Sequence, residues 1–411
     1  MQESNHIKAE ELPNIEELLQ QLLNQRNIFQ TLKGWQHVIP NIKELTDQHG
    51  LSSSLAAYYN HAKPNDFIVS RLQSKRYCLK PNLHYTPYIL RGQNREYPQI
   101  LSAFERLDGD SKLISNLKTL DFINFIKTHP LCKMFDHGIK LSSFTKPIFF
   151  EMNYYGLAQH YNFNTGLIDF TSNPLIAAFF ATTKNIGNDR YVPIENTREY
   201  SYGVIYVHYI KPDSTFGMFS TIGQQIFPRT GAQRGFFFQE QHVRLPIQCL
   251  VKKYYFRQDS VCSRKIFQLF NEGKSLFPKD NLCEIAKNIH DSHEVSLLSF
   301  AENLYANPSD SLQKNLKRCK DKGIFVNPQL RYSYSSDLLA TYYQDLKNGL
   351  WEQFCKPIYF HHTQGKKLKE ELLNLPNNPN YQMYFNKNYH NQLYYHMMEQ
   401  ENAHKKGLQN L

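Results

Sequence analysis

Apolar and polar positions alternate at different spacings along the chain, and the spacing divides it into three stretches. Over residues 14–30, Ile15, Leu18, Leu19, Leu22, Leu23 and Phe29 recur at helical intervals and form one stripe of an amphipathic helix. Asn14 stands ahead of it with Glu17 three positions on, so each side chain can accept from the other's backbone N–H. The text stays helical and polar to about residue 75. From about 84 to 290 the elements become short and mixed. "PYILRG" (87–92) reads as a strand, "FFEMNYYGLAQHY" (149–161) as a helix and "TGLIDFT" (165–171) as a brief strand. Asn173-Pro174 is the cap-then-proline opening of the apolar helix "PLIAAFFATTK". "GVIYVHYI" (203–210) is the clearest strand, being rich in β-branched and aromatic residues. "GFFFQEQ" (235–241) and "QCLVKKYYF" (248–256) follow as strands, with helices near 259–271 and 282–290. After 291 helical text returns, including 335–354. The pattern predicts an α+β fold: a mixed β-sheet core over 76–290, flanked by helices, with a helical region at 1–75 and another at 291–411.

Composition sharpens this without changing it. A hydrophobic content of 41%, with 27 Tyr and 28 Phe, supplies enough apolar burial for a folded chain and excludes disorder. No apolar run is long enough to span a membrane, and the first residues lack the basic head and apolar stretch of a secretory signal. Cys78, Cys132, Cys249, Cys262, Cys283, Cys319 and Cys355 are scattered and never form C-x-x-C. This argues against structural zinc or a disulfide framework and predicts a reducing, cytoplasmic setting. The net charge of +10 favours acidic partners such as nucleic acid or nucleotide phosphates. The basic clusters at 251–257, 314–323 and 365–369 read individually as solvated faces.

Three blocks carry candidate chemistry. Arg91 ends an apolar strand and is followed by Gly92, so its guanidinium fork can face a cleft in which a ligand approaches the glycine backbone. The equal alternative is an arginine locked to a carboxylate such as Asp169. In the second block, Gln159, His160 and Tyr161 close a helix, and Asp169, Phe170 and Thr171 lie on the next extended segment. A His160–Asp169 pair would orient a general base, or would fasten helix to strand. No Gly-x-Ser-x-Gly or Cys/His arrangement accompanies it, which leaves hydrolysis by a nucleophile unsupported. The third block is "FPRTGAQRGFFFQEQ" (227–241), where Arg229, Gln233 and Glu240 are the groups that could grip a ligand. Nothing reads as a P-loop, a dinucleotide fingerprint or a metal site.

Taken in order, these blocks resemble the FRG domain family. Its strand into Arg-Gly-Gln corresponds to "YILRGQNREYPQILSAFERL" (88–107). Its Ala-Gln-His-Tyr, its Thr-Arg-Leu-Leu-Asp-Trp-Thr and its proline-initiated helix correspond to residues 157–181. An Arg-x-x-x-Gln-x-Gly-x-Phe block is matched by Arg229, Gln233, Gly235 and Phe237, and a Leu-Phe-Pro by Leu276-Phe277-Pro278. Phe-Arg-Gly has become Leu90-Arg91-Gly92, the family Trp is Phe170, and Gly166 replaces an arginine.

The order of strands also looks like the ADP-ribosyltransferase fold. That second resemblance implies NAD as substrate. Arg91, Gly92 and Arg229 would bind NAD, with Arg91 at its pyrophosphate or ribose. Thr171 would shape the nicotinamide site, Tyr161 and Phe170 would stack, and Glu240 or Gln233 would bind the ribose. His160 and Asp169 would complete the catalytic set. The activity implied is ADP-ribosyl transfer to nucleic acid or protein, or NAD glycohydrolysis, in a toxin or phage-defence effector restrained by an antitoxin or other inhibitory protein. A non-catalytic module that binds a nucleotide or nucleic acid is the alternative.

Overall fold

A computed structural model describes residues 8–24, 66–72, 74–82, 88–187, 189–210, 219–239, 246–308 and 310–389. The chain forms two compact units that interleave along the sequence. One comprises Met1–Phe67, Lys80–Arg106 and Gly166–Asn281; the other comprises Ile68–Leu79, Leu107–Thr165 and Leu282–Leu411.

The first unit is built on a six-stranded sheet. Its strands are β1 (Tyr88–Gln93), β2 (Leu167–Thr171), β3 (Tyr202–Tyr209), β4 (Phe219–Thr221), β5 (Gly235–Gln239) and β6 (Lys252–Arg257), in the spatial order β6-β3-β1-β2-β5-β4. All five neighbouring pairs are antiparallel. Side chains alternate between two apolar faces, as the period-2 geometry of strands requires. One face, with Leu90, Ile205, Val207 and Phe256, packs on helices α1 (Ile15–Asn24), α2 (Pro174–Thr182) and α4 (Ser260–Leu269). The short helix α3 (Pro228–Gln233) leads into β5. The opposite face carries Ile89, Ile168, Phe170, Val204, Tyr206, Phe236 and Phe238 beneath Ile100 and Ile247.

The helix starts follow from local chemistry. Asn14 N–H donates to Glu17 Oε2 at 2.8 Å and Glu17 N–H to Asn14 Oδ1 at 2.9 Å, the reciprocal cap read from the sequence. At α2 the Asn173 side chain accepts from the Leu175 N–H, and Pro174 fills the first helical position. The expected strand over 248–256 divides: Ile247–Cys249 is a short 3-10 turn after Pro246, and pairing begins only at Lys252.

The second unit is mostly helical. Its longest described element, Gly109–Lys127, is capped by Asp108, whose side chain accepts from Ser111 N–H. Leu113 and Leu117 of this helix join Val295, Phe300, Cys319 and Ile324 in a core. A parallel two-stranded pair joins Glu294–Ser296 to Phe325–Asn327. The helical text over 335–354 forms two helices, Ser336–Lys347 and Leu350–Cys355, separated where Gly349 adopts φ +89°. With 14 α-helices and several sheets among the described residues, the protein is of mixed α and β class. No helix among them is long and apolar enough to cross a membrane.

Candidate functional site

The six-stranded sheet is two three-stranded halves held by one residue pair. β1 pairs with β3 over six residues and β2 with β5 over five. Between β1 and β2 the ladder consists, among the described residues, of Leu90 opposite Thr171. Continued in register, it would set Gly92 opposite Asp169. Instead the Arg91 side chain enters the seam, and its Nη1 donates to the Asp169 backbone carbonyl at 2.9 Å. A side-chain donor thus satisfies a carbonyl that the ladder has left open.

Arg91 is poorly satisfied in return. Its side chain is 19% exposed, yet the Asp169 carboxylate, itself 56% exposed, lies 3.9 Å from Nη1. The Arg91 Nε is buried with no hydrogen-bond partner among the described residues. A guanidinium offers five N–H donors, so most of its capacity is unspent. Burial pulls its pKa below the ordinary arginine value, while the charge of Asp169 and the Tyr206 hydroxyl pull it back up. The arrangement is suited to an anion with several acceptor oxygens, for which arginine supplies a planar fork.

Gly92 has a packing reason. A Cβ placed there would lie 1.8 Å from the Ala177 carbonyl oxygen, so only glycine lets α2 settle on β1. The alanines 177, 178 and 181 of α2 are buried on the same account.

On the face that carries Arg91, cross-strand neighbours form polar rows. Arg91 lies opposite Tyr206, and Tyr206 opposite Lys253. One step along, Gln93 lies opposite Val204 and Val204 opposite Tyr255. The chain leaving β1 returns Glu96 over these rows. Its carboxylate accepts from Lys253 Nζ at 2.7 Å and from the Tyr255 hydroxyl at 3.2 Å to each oxygen. Burial, then the negative charge of Glu96, pushes the Tyr206 hydroxyl above its ordinary pKa, and Arg91 opposes the rise. Burial with Glu96 pushes Tyr255 up to about 12. Gln93 Oε1 is buried without a partner among the described residues. Sequence reasoning missed Gln93, Glu96, Tyr206 and Lys253. Their association depends on strand register, although the period-2 alternation already put Arg91 and Gln93 on one side of β1.

The other residues singled out by sequence are placed as follows. Thr171 Oγ1 donates to the Gln233 carbonyl at 2.8 Å and accepts from Asn173 N–H, tying the end of β2 to the end of α3. Gln233 Nε2 donates to the Leu276 carbonyl, and Arg229 Nε to the Pro278 carbonyl. Two motif blocks remote in sequence therefore hold one another. Arg229 also makes a buried ion pair with Asp189 at 2.7 Å. Phe170 is buried and meets the Phe219 ring edge-on. Glu240 lies outside the described residues. His160 and Tyr161 belong to the second unit, where His160 ends the helix Tyr154–His160 and Tyr161 packs on the Phe122 ring. There the Thr165 hydroxyl donates to the Gln159 side chain. No group of three or more His, Cys, Asp or Glu side chains able to hold a metal ion occurs among the described residues.

The first unit is thus an antiparallel sheet with an under-paired arginine at its seam. The FRG domain family model matches residues 86–190. The match takes in β1, β2 and α2, and it stops short of the Arg229 block and of Leu276-Phe277-Pro278. No curated protein and no solved structure matches the chain.

Proposed function

We propose that the seam at Arg91 receives the pyrophosphate of NAD and that the protein is an NAD-consuming ADP-ribosyltransferase or NAD glycohydrolase. The observation that carries this reading is the Arg91 guanidinium, largely buried, hydrogen-bonded to one backbone carbonyl and paired with the Asp169 carboxylate only at 3.9 Å. A carboxylate at that distance offsets little of the cost of burying the cation, so a closer anion such as phosphate is its natural complement. The identity of the nucleotide follows the resemblance of the strand order to the ADP-ribosyltransferase fold.

In the reaction, the bond from the ribose C1′ to the nicotinamide nitrogen breaks and its electron pair leaves with nicotinamide. The positive charge left on the ribose is stabilised by a carboxylate, and an acceptor nucleophile forms the new C1′ bond while losing its proton. Water as acceptor gives the glycohydrolase. Arg91 would hold the phosphates through this change, and Thr171, fixed to Gln233, would form part of the wall. The charge of +10 favours a nucleic-acid acceptor over a protein, and the same reading provides for an inhibitory partner that restrains a toxin or defence effector.

The test is titration of NAD into the purified chain with nicotinamide release followed in parallel, using Arg91→Ala as the control. Binding and release that both disappear in the variant support the proposal. Binding without release makes the chain a nucleotide-binding module, and no binding rejects NAD altogether.

A further inference from the structure

We infer that Glu96 is the carboxylate that serves the Arg91 site, binding the ribose hydroxyls of the nucleotide whose phosphates Arg91 holds. The inference rests on the reading of Arg91 given above and adds a second contact to it.

β1 supplies both groups, Arg91 within the strand and Glu96 three residues beyond its last residue. They look onto the same face. Arg91, Tyr206 and Lys253 form one cross-strand row, and Glu96 is bound to the far end of that row by Lys253 Nζ. With β3 lying between β1 and β6, the backbones of Arg91 and Lys253 are about 10 Å apart, which suits a pyrophosphate with its ribose. Asp169 does not meet the same requirement. It alternates with Ile168 and Phe170, which face this side, and Arg91 engages its carbonyl rather than its side chain.

The carboxylate is aimed. Lys253 and Tyr255 are two residues apart on one side of β6 and hold both oxygens, which fixes the Glu96 rotamer before any ligand arrives. The side chain is 25% exposed, so its remaining lone pairs are open to hydroxyl donors. A ribose presents two adjacent hydroxyls, and a carboxylate accepting from them also lies beside the charge that develops at C1′. Lys253 and Tyr255 are positioning residues in this scheme, and Tyr206 lines the ground between the cation and the carboxylate.

The test is single-turnover nicotinamide release at saturating NAD. Glu96→Gln should slow it about 100-fold, the loss expected when one transition-state charge interaction is removed. NAD affinity, read by calorimetry, should hold within about threefold, because the glutamine oxygen still accepts from a ribose hydroxyl and Arg91 is untouched. Tyr255→Phe, which removes one hydroxyl and leaves the strand intact, should slow release about tenfold. If thermal melting shows Glu96→Gln to be unfolded, Glu96→Asp takes its place and, with the carboxylate drawn back by one methylene, should slow release about tenfold. A release rate within about threefold of wild type in folded Glu96 variants overturns the assignment and leaves the Arg91 reading standing. A wild-type chain that neither binds NAD nor releases nicotinamide rejects both.

Discussion

Arg91 reaches across the seam between β1 and β2 to the backbone carbonyl of Asp169, 2.9 Å away, and stands off from that residue's carboxylate at 3.9 Å. The guanidinium therefore plugs the sheet without being neutralised. A tighter ion pair would have closed the seam, and a shorter apolar side chain would have left the carbonyl unsatisfied. The compromise links the two halves of the sheet while leaving the Arg91 Nε without a hydrogen-bond partner among the described residues.

The first prediction separates the ligand role of Arg91 from its structural one. Arg91→Met removes a desolvated charge whose pKa burial already depresses. Loss of the desolvated charge and loss of the hydrogen bond to the Asp169 carbonyl oppose one another, so the unliganded variant should lie within about 1 kcal/mol of wild type. It should also lose the stabilisation by NAD, which for wild type is about 2.7 kcal/mol at 100 times the Kd. Urea unfolding with and without NAD measures both. A variant that is strongly destabilised and still stabilised by NAD would sink the idea.

Gly92 tests the packing of α2. Gly92→Ala sets a methyl group against the backbone of Ala177, where the oxygen would be 1.8 Å away, so the helix must lift off β1. A cost of about 3 kcal/mol is expected, in the range of severe overpacking. Arg91→Met lacks this effect, so of the two neighbours only Gly92→Ala should be strongly destabilised in the same urea assay.

The parts of the fold legible in the sequence were those fixed by neighbours in the chain. The Asn14–Glu17 cap and the Asn173-Pro174 helix start need only a few residues to specify them, and the β-branched run at 203–210 emerged as Tyr202–Tyr209. The helix Gly109–Lys127 gave no such signal. Leu113, Leu117, Leu120, Phe122, Ile123, Phe125 and Ile126 are buried around its circumference, so no single apolar stripe marks it. At the site, Arg91 was visible as an arginine ending an apolar strand. Its carbonyl partner was not, because the seam exists only once β1 and β2 are set in register. Glu96 was hidden for the same reason, since Lys253 and Tyr255 lie about 160 residues downstream.

Asp189 and Arg229 supply a third prediction. The pair is buried, at 17% and 5% side-chain exposure, with 2.7 Å between Nη1 and Oδ2. Asp189 sits at φ 55°, a left-handed conformation that asparagine also tolerates. Asp189→Asn thus removes the charge without straining the backbone and takes a buried carboxylate from Arg229, at a cost of about 2 kcal/mol. Double substitution with Arg229→Met should recover part of that loss. Equal stability of the single and double variants in urea would show that the charge is not what holds the segment.

A fourth prediction concerns pH and falls in the second unit. Burial pushes His129 down to about 3 from an ordinary value of 6.5. Its Nδ1 accepts from Leu131 N–H at 3.2 Å to cap the helix Pro130–His137, a role open only to the unprotonated ring. Between those two values the unfolded chain binds a proton that the folded chain refuses. The stability that His129 contributes is therefore complete above about pH 6.5 and falls by about 1.4 kcal/mol per pH unit below it. From pH 7.5 to pH 5 the loss through this group is about 2 kcal/mol. His129→Asn keeps a capping oxygen but cannot titrate in this range, so its unfolding free energy should decline less steeply over that interval. Urea titrations of both proteins at pH 7.5 and pH 5 measure the difference, and parallel declines would show that His129 does not report its burial in this way.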